Sequence, residues 1–252
     1  MSPPKQLLEV ADQLLHLTVS QQGWVQAVID QFKLPHTFAK NSKSDLVDAS
    51  VLESIGDALR IHHAFSRQAL SKDRFEFAFE RALTLAGHTA TLATSRTNRG
   101  HDITVDGVRV SLKTQADAGI KVDSLHISKF MELGRGEWVL ATLRDLFLEH
   151  MQGYERIFQF RCLEQSATRY RYELVEIPKA LLQEAADAKL VIADNSRQNP
   201  KPGYGYVAAK DGSQKFALYF DGGTERKLQI KSIRKDLCTV HATWEFESAA
   251  LA

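Results

Sequence analysis

Only two cysteines occur in the 252 residues, Cys162 and Cys238. They are too few and too far apart for a disulfide framework or a cysteine-built zinc site, and read as buried thiols. No apolar run is long enough to span a bilayer, which excludes a transmembrane helix. The opening "MSPPKQLLEVADQLLHL" reads as an amphipathic helix with acids in it, without the basic end and cleavage site of a secretory signal. A soluble, cytoplasmic protein without membrane contact is expected. Net charge is also scarce, at +1, so bulk electrostatics point to no polyanionic partner. Internal repeats and low-complexity segments are missing. What remains is a chain 44% hydrophobic, able to bury one sizeable core or a main domain with an appended lobe.

The charge that is present is unevenly placed. Residues 1 to 58 carry four lysines against seven acids, while residues 195 to 235 carry nine basic residues against three acids. A basic C-terminal third suits a phosphate-binding surface, and equally an ordinary solvated face. Apolar spacing predicts helices near residues 4–18, 20–32, 45–60 and 72–86, the last stopped by Gly87. Short strands follow at 88–94, in the two arms of a hairpin, and at 124–130. Residues 136–154 read as the longest helix. "RIFQFRCL" and "YRYELVEI" read as strands, Pro178 opens a helix to about 187, and the remainder reads as strands joined by glycine-rich turns. The pattern predicts one α/β domain over residues 1–252, with a mixed sheet flanked by helices and an N-terminal helical cap.

The hairpin is the segment "HDITVDGVRVSLKTQ", residues 101–115. Asp-Gly favours a two-residue turn, because both central positions need a positive φ. That register pairs Val105 with Val108, Ile103 with Val110, and Asp102 with Ser111. Asp102, Ser111, Lys113 and Gln115 then share a face, with Asp102 and Lys113 diagonal neighbours. A solvent-facing salt bridge would be the ordinary outcome. The neighbouring sequence allows a chemical one. Cleaving a phosphodiester takes a metal held by carboxylates, a positioned water, and a cation for the developing charge. Asp102 can hold the metal, the carbonyl of Leu112 can complete its shell, and Lys113 can orient or deprotonate water. Magnesium prefers oxygen ligands and keeps several waters. A second carboxylate would come from the preceding helix, where Glu76 and Glu80 lie one turn apart.

A helix with Glu, a hairpin with Asp, then acid-x-Lys resembles the core of the PD-(D/E)xK nucleases. One departure is plain: the acid two residues before the lysine is Ser111, in "SLK". Glu76 is the first choice for the missing carboxylate, by the resemblance of its "FE…G" spacing to other branches. Glu80 is the reserve, Asp123 or Glu132 a downstream option, and a solvated helix face the plain alternative.

A closer resemblance runs through "SRTNRGHDITVD", "SLKT", "SKFMELGRGEW", "YERIF", "LVEIPK", "PKPGYGY" and "LYFDGGTERKLQIK". These blocks resemble type II restriction endonucleases. The resemblance implies a homodimer on double-stranded DNA, using Mg2+ with Mn2+ as a possible substitute. It further implies blunt cutting of the palindrome CCCGGG and a cognate DNA methyltransferase in the same system. Palindromes suit two-fold dimers because identical half-sites meet identical surfaces. On this reading residues 1–65 form a helical region, 66–160 the catalytic core, and 161–252 a β-rich part with DNA-contacting loops. Arginine matches the O6 and N7 acceptors of guanine. The candidate DNA contacts are Arg96, Asn98 and Arg99 beside Asp102, then Gln115, Lys129, Lys201, Arg226, Lys227 and Lys231, with loops or solvated strands as the plainer reading. The adjacent His62 and His63 point apart on any regular element and read as surface or core residues rather than zinc ligands. Because "SLK" lacks the usual acid, a catalytically silent DNA-binding protein stays open. So does a repair or modification-dependent nuclease on the same core.

Overall fold

The computed structural model describes residues 5–94, 100–117, 119–166 and 168–249. The chain runs α1 (Lys5–Leu15), α2 (Val19–Lys33), β1 (His36–Lys40), α3 (Ala49–Phe65), α4 (Lys72–Leu85), β2 (Ala90–Leu92), β3 (Ile103–Val105) and β4 (Val108–Gln115). It continues with β5 (Ser124–Glu132), α5 (Leu140–His150), β6 (Arg156–Gln165), β7 (Arg169–Glu176), α6 (Lys179–Gln183) and β8 (Lys189–Ile192). The last strands are β9 (Gly203–Ala208), β10 (Gln214–Asp221), β11 (Lys227–Arg234) and β12 (Thr239–Glu247). Among the described residues no helix is long and apolar enough to cross a membrane.

Helix ends follow local chemistry. Thr18 and Gln21 form a capping box on α2, and Asp48 accepts the Val51 amide at the start of α3. Ser71 caps α4 through the Arg74 amide. That helix ends at Gly87, whose φ of 94° only glycine adopts freely.

Two sheets form where one mixed sheet was expected. The first has seven strands in the order β1-β12-β7-β6-β4-β3-β2, antiparallel except for the parallel β4–β6 pair. The second has five antiparallel strands, β5-β11-β10-β9-β8. Strand period fixes which face is apolar but not which edge a strand joins, so β12 returns to the first sheet while β8 to β11 build the second. Strands β1 and β8 were not expected. Residues 136–154 also differ: α5 begins only at Leu140 and gives way to a 3-10 turn at Met151–Gly153, so α3, at 17 residues, is longer. The Trp138 indole donates to the Lys201 carbonyl at 2.7 Å, a tertiary bond that holds the segment before α5 in the loop.

The first sheet is buried on both faces. Toward α3 and α4 its Phe158, Phe160, Tyr172 and Trp244 meet Val51, Ile55, Phe75 and Phe79. The Phe75 ring stacks on Phe160 at 4.2 Å. Burying each such side chain stabilises by roughly 1.5–3 kcal/mol. On the other face Ile157, Val175 and Ile177 pack with Phe147 of α5 and with Phe216, Leu218, Leu228 and Ile230 of the second sheet. In α4, Phe75, Phe79 and Leu83 recur every four residues and face this core. Lys72, Glu76 and Glu80 therefore line a neighbouring stripe, along the edge nearest β2 and the hairpin.

Candidate active site and DNA-contact surface

Asp106 and Gly107 have φ of 49° and 83°, as a two-residue hairpin turn requires. The ladder pairs Val105 with Val108, Thr104 with Arg109 and Ile103 with Val110. This register sets Asp102 against Ser111. The Ser111 hydroxyl donates to Asp102 Oδ2 at 3.2 Å, and the Leu112 amide donates to the same oxygen at 2.6 Å. The face is not solvated, since Ser111 is 2% and Gln115 9% exposed. Near the turn Arg109 forms an exposed salt bridge with Glu155, but an ordinary surface salt bridge is not what the hairpin carries around Asp102.

Across the hairpin, the α4 stripe supplies Lys72. Its Nζ lies 2.7 Å from Asp102 Oδ1 and 2.8 Å from Glu76 Oε1. Glu76 Oε1 is buried and, this ion pair apart, takes no aligned hydrogen bond. Glu80 points elsewhere, with Oε1 accepting the Leu92 amide of β2 at 2.9 Å. All of these border one cleft of about 500 Å³, with His101 at its rim. Lys113 projects from β4, its Nζ 5.5 Å from the centre of the Phe130 ring.

The electrostatics tie these groups together. Burial would raise the Asp102 carboxyl, but the charges of Lys113 and Lys72, with the bonds from Lys72 and Leu112, hold it below the ordinary 3.8. Burial pushes Lys113 down; Asp102 and Glu76 oppose this and Lys72 adds to it. For Lys72 burial also pulls downward, yet Asp102 and Glu76 outweigh it and the pKa rises. Among the described residues no group of three or more His, Cys, Asp or Glu side chains converges as a metal cluster. Of the carboxylates that line this cleft, Asp102 and Glu76 are the two that meet at the Lys72 ammonium.

The remaining candidates fall in several places. Arg96, Asn98 and Arg99 lie outside the described residues. Asp123 and Glu132 line depressions of their own, away from Asp102. A cleft of about 950 Å³ brings Lys129 and Arg226 together with Arg135, Gln198 and Asn199. It exists because Gly222 lets the 222–226 turn approach the 198–202 loop: a Cβ there would stand 2.1 Å from the Pro200 carbonyl oxygen. Arg226 lies over Trp138, its guanidinium 5.5 Å from the ring centre, and donates to the Gly136 carbonyl. Lys227 pairs with Glu225 at 3.0 Å, and Lys201 donates to the Asp194 carbonyl at 2.7 Å. Lys231 sits 3.6 Å over the Tyr219 ring and shares a smaller depression with Gln115 and His126. Gln115 Oε1 is engaged by Arg161 Nε at 3.3 Å. His63 is a core residue, bonded to the Tyr172 hydroxyl and the Ser66 carbonyl. Lys72, Arg135, Gln198 and Asn199 were not singled out from sequence. For Lys72 a signal existed, its position one helical turn before Glu76.

Comparison with known proteins supplies the class. Residues 10–246 match the SmaI family, type II site-specific deoxyribonucleases, and the chain belongs to that family. A relative in it is the type II restriction enzyme SmaI of Serratia marcescens, 49% identical over 223 residues, 88% of each chain. No solved structure matches the chain. Family membership makes this protein a sequence-specific endonuclease, so the catalytically silent binding protein and the repair nuclease fall away.

Proposed function

We propose that this restriction endonuclease cuts double-stranded DNA with a PD-(D/E)xK core in which Asp102 and Glu76 hold Mg2+ and Lys113 serves the attacking water. The observation that carries the reading is the Lys72 ammonium between the two carboxylates: Asp102 and Glu76 address one point, and a cation is stabilised there. The donor set suits magnesium, which takes oxygen ligands, needs only one or two carboxylates, and fills its shell with water and substrate phosphate. Glu76 Oε1, buried and without an aligned hydrogen bond, supports the same assignment. So does Leu112. Its amide faces Asp102, and in an antiparallel ladder the N–H and C=O of one residue project to the same edge.

When bound, magnesium polarises the scissile phosphate and acidifies a water. The chain's own residues orient and balance charge. Asp102 is held by the Leu112 amide and the Ser111 hydroxyl, which fixes its outward oxygen. Lys113, its pKa lowered by burial, orients the nucleophilic water or takes its proton, and offsets charge growing on the phosphate. Ser111 fills the place of the usual acid with a neutral donor, and Glu76 supplies the carboxylate from α4.

For recognition, the cleft bearing Lys129, Arg135, Gln198, Asn199 and Arg226 offers arginine and amide groups that suit base edges in the major groove. Arg96, Asn98 and Arg99 beside Asp102, with Lys201, Lys227, Lys231 and Gln115, complete the proposed contacts. The target is CCCGGG, cut bluntly by a homodimer, in a cytoplasmic system with its own methyltransferase. The test is digestion of a plasmid of known sequence with magnesium and then with EDTA. Discrete, magnesium-dependent fragments with blunt ends in CCCGGG are expected; other ends, or cutting in EDTA, would overturn the target or the metal assignment.

A further inference from the structure

Lys72 touches both carboxylates assigned to the metal, so its ammonium and a divalent cation compete for the same oxygens. The two halves of this bridge are unequal. The contact to Asp102 is an aligned hydrogen bond, and the contact to Glu76 Oε1 is not. The side chain also has a way out: it rises from the first turn of α4 and is 40% exposed. Lys113, by contrast, is held on β4 against Phe130. DNA entering this cleft brings phosphates that attract an ammonium strongly.

We propose that Lys72 is a displaceable internal cation that couples divalent-cation binding to DNA binding. In the DNA-free protein it neutralises Glu76 and Asp102 and keeps them aimed at one point. When a phosphate takes the ammonium, the carboxylate oxygens are released to the metal. The free enzyme then holds metal weakly and the DNA complex holds it tightly. By linkage, the metal strengthens DNA binding by the same factor. Lys72 is on this account a positioning residue, acting through the carboxylates. The inference rests on the metal site proposed above.

The test is calorimetric titration of the full-length protein with Ca2+, alone and bound to a duplex carrying the site mapped by the digest. Without DNA, Lys72→Met is expected to bind Ca2+ about tenfold more tightly than the unmodified protein, the loss of a competing partly buried ion pair. Lys72→Arg should stay near the unmodified value. In the DNA complex the affinities of Lys72→Met and the unmodified protein should converge, because the ammonium has left in both. Lys72→Gln serves the same comparison if Lys72→Met does not fold. If Lys72→Met gains nothing without DNA while Asp102→Asn and Glu76→Gln lose Ca2+ binding, the displaceable lysine is overturned and the metal site stands. If the gain persists undiminished in the DNA complex, Lys72 acts as a distant charge and displacement is overturned. If Asp102→Asn and Glu76→Gln bind Ca2+ like the unmodified protein, the metal site falls and this proposal with it.

Discussion

Asp102→Asn probes the site most directly, because the structure separates its effects on stability and on chemistry. The carboxylate uses both oxygens: Oδ1 accepts from Lys72 at 2.7 Å, and Oδ2 accepts from the Leu112 amide at 2.6 Å and from Ser111. Asparagine has one acceptor and one donor end. With its oxygen toward Leu112, its NH2 faces the Lys72 ammonium, and one charge-assisted bond is lost. Such a bond contributes about 1.5–3 kcal/mol, which for a chain of this size lowers Tm by roughly 3–12 °C. The pH dependence follows from the depressed pKa. Asp102 ionises below 3.8 in the folded protein, so its stabilisation is fully present above that value and is lost as pH falls through the folded pKa. The gap between the two proteins should therefore be constant near neutrality and close below about pH 4. Cleavage should fall much further, by about 10²–10³-fold, because several kcal/mol of Lewis-acid stabilisation go with the ligand. Cognate DNA should still be bound in Ca2+. The assays are urea melts between pH 3 and 7 and single-turnover cleavage. Near-normal cleavage, or a stability gap that widens in acid, would refute this account of the site.

Five further outcomes are expected. Glu76→Gln should behave like Asp102→Asn in cleavage, with partial rescue by manganese. Glu80→Gln should cleave normally, since glutamine can still accept the Leu92 amide; the reverse result would place the ligand one turn later. Arg226→Ala should lose roughly 1–3 kcal/mol of discrimination between cognate and altered sites. Lys231→Ala should weaken all sequences alike and reduce the salt slope by about 1; competitive binding at several salt concentrations separates the two, and equal losses on cognate and random DNA would remove the base-reading role. Finally, burial lowers His63 from 6.5 to about 4, so the folded state stays neutral while the unfolded chain takes up a proton. Stability should drop by about 2 kcal/mol between pH 7 and pH 5. Denaturant melts of His63→Phe should show that drop largely removed, and an unchanged pH dependence would place its origin elsewhere.

Local chemistry was readable without the fold. Asp106-Gly107 sets its own turn, the turn sets the register, and the register places Asp102 beside Ser111, because side chains alternate with a strict period of two. In α4 likewise, Ser71 starts the helix, Gly87 ends it, and four-residue spacing lines up Lys72, Glu76 and Glu80. Tertiary structure decided everything that needs two distant segments to meet. Lys72 and Asp102 are thirty residues apart, and only the packing of α4 across the first sheet brings them into contact. That packing aims Glu76 at Asp102 and ties Glu80 to β2, a choice that helical periodicity leaves open. Strands β9 to β11 read as strands from their composition, yet their separation into a second sheet with β5 and β8 depends on which edges and apolar faces were free to pair. The cleft of Lys129, Arg135, Gln198, Asn199 and Arg226 arises from strand β5, the loop that follows it, and two loops far along the chain. Turns and caps are settled by neighbours within about four residues, whereas a site is settled by whichever surfaces exclude water together.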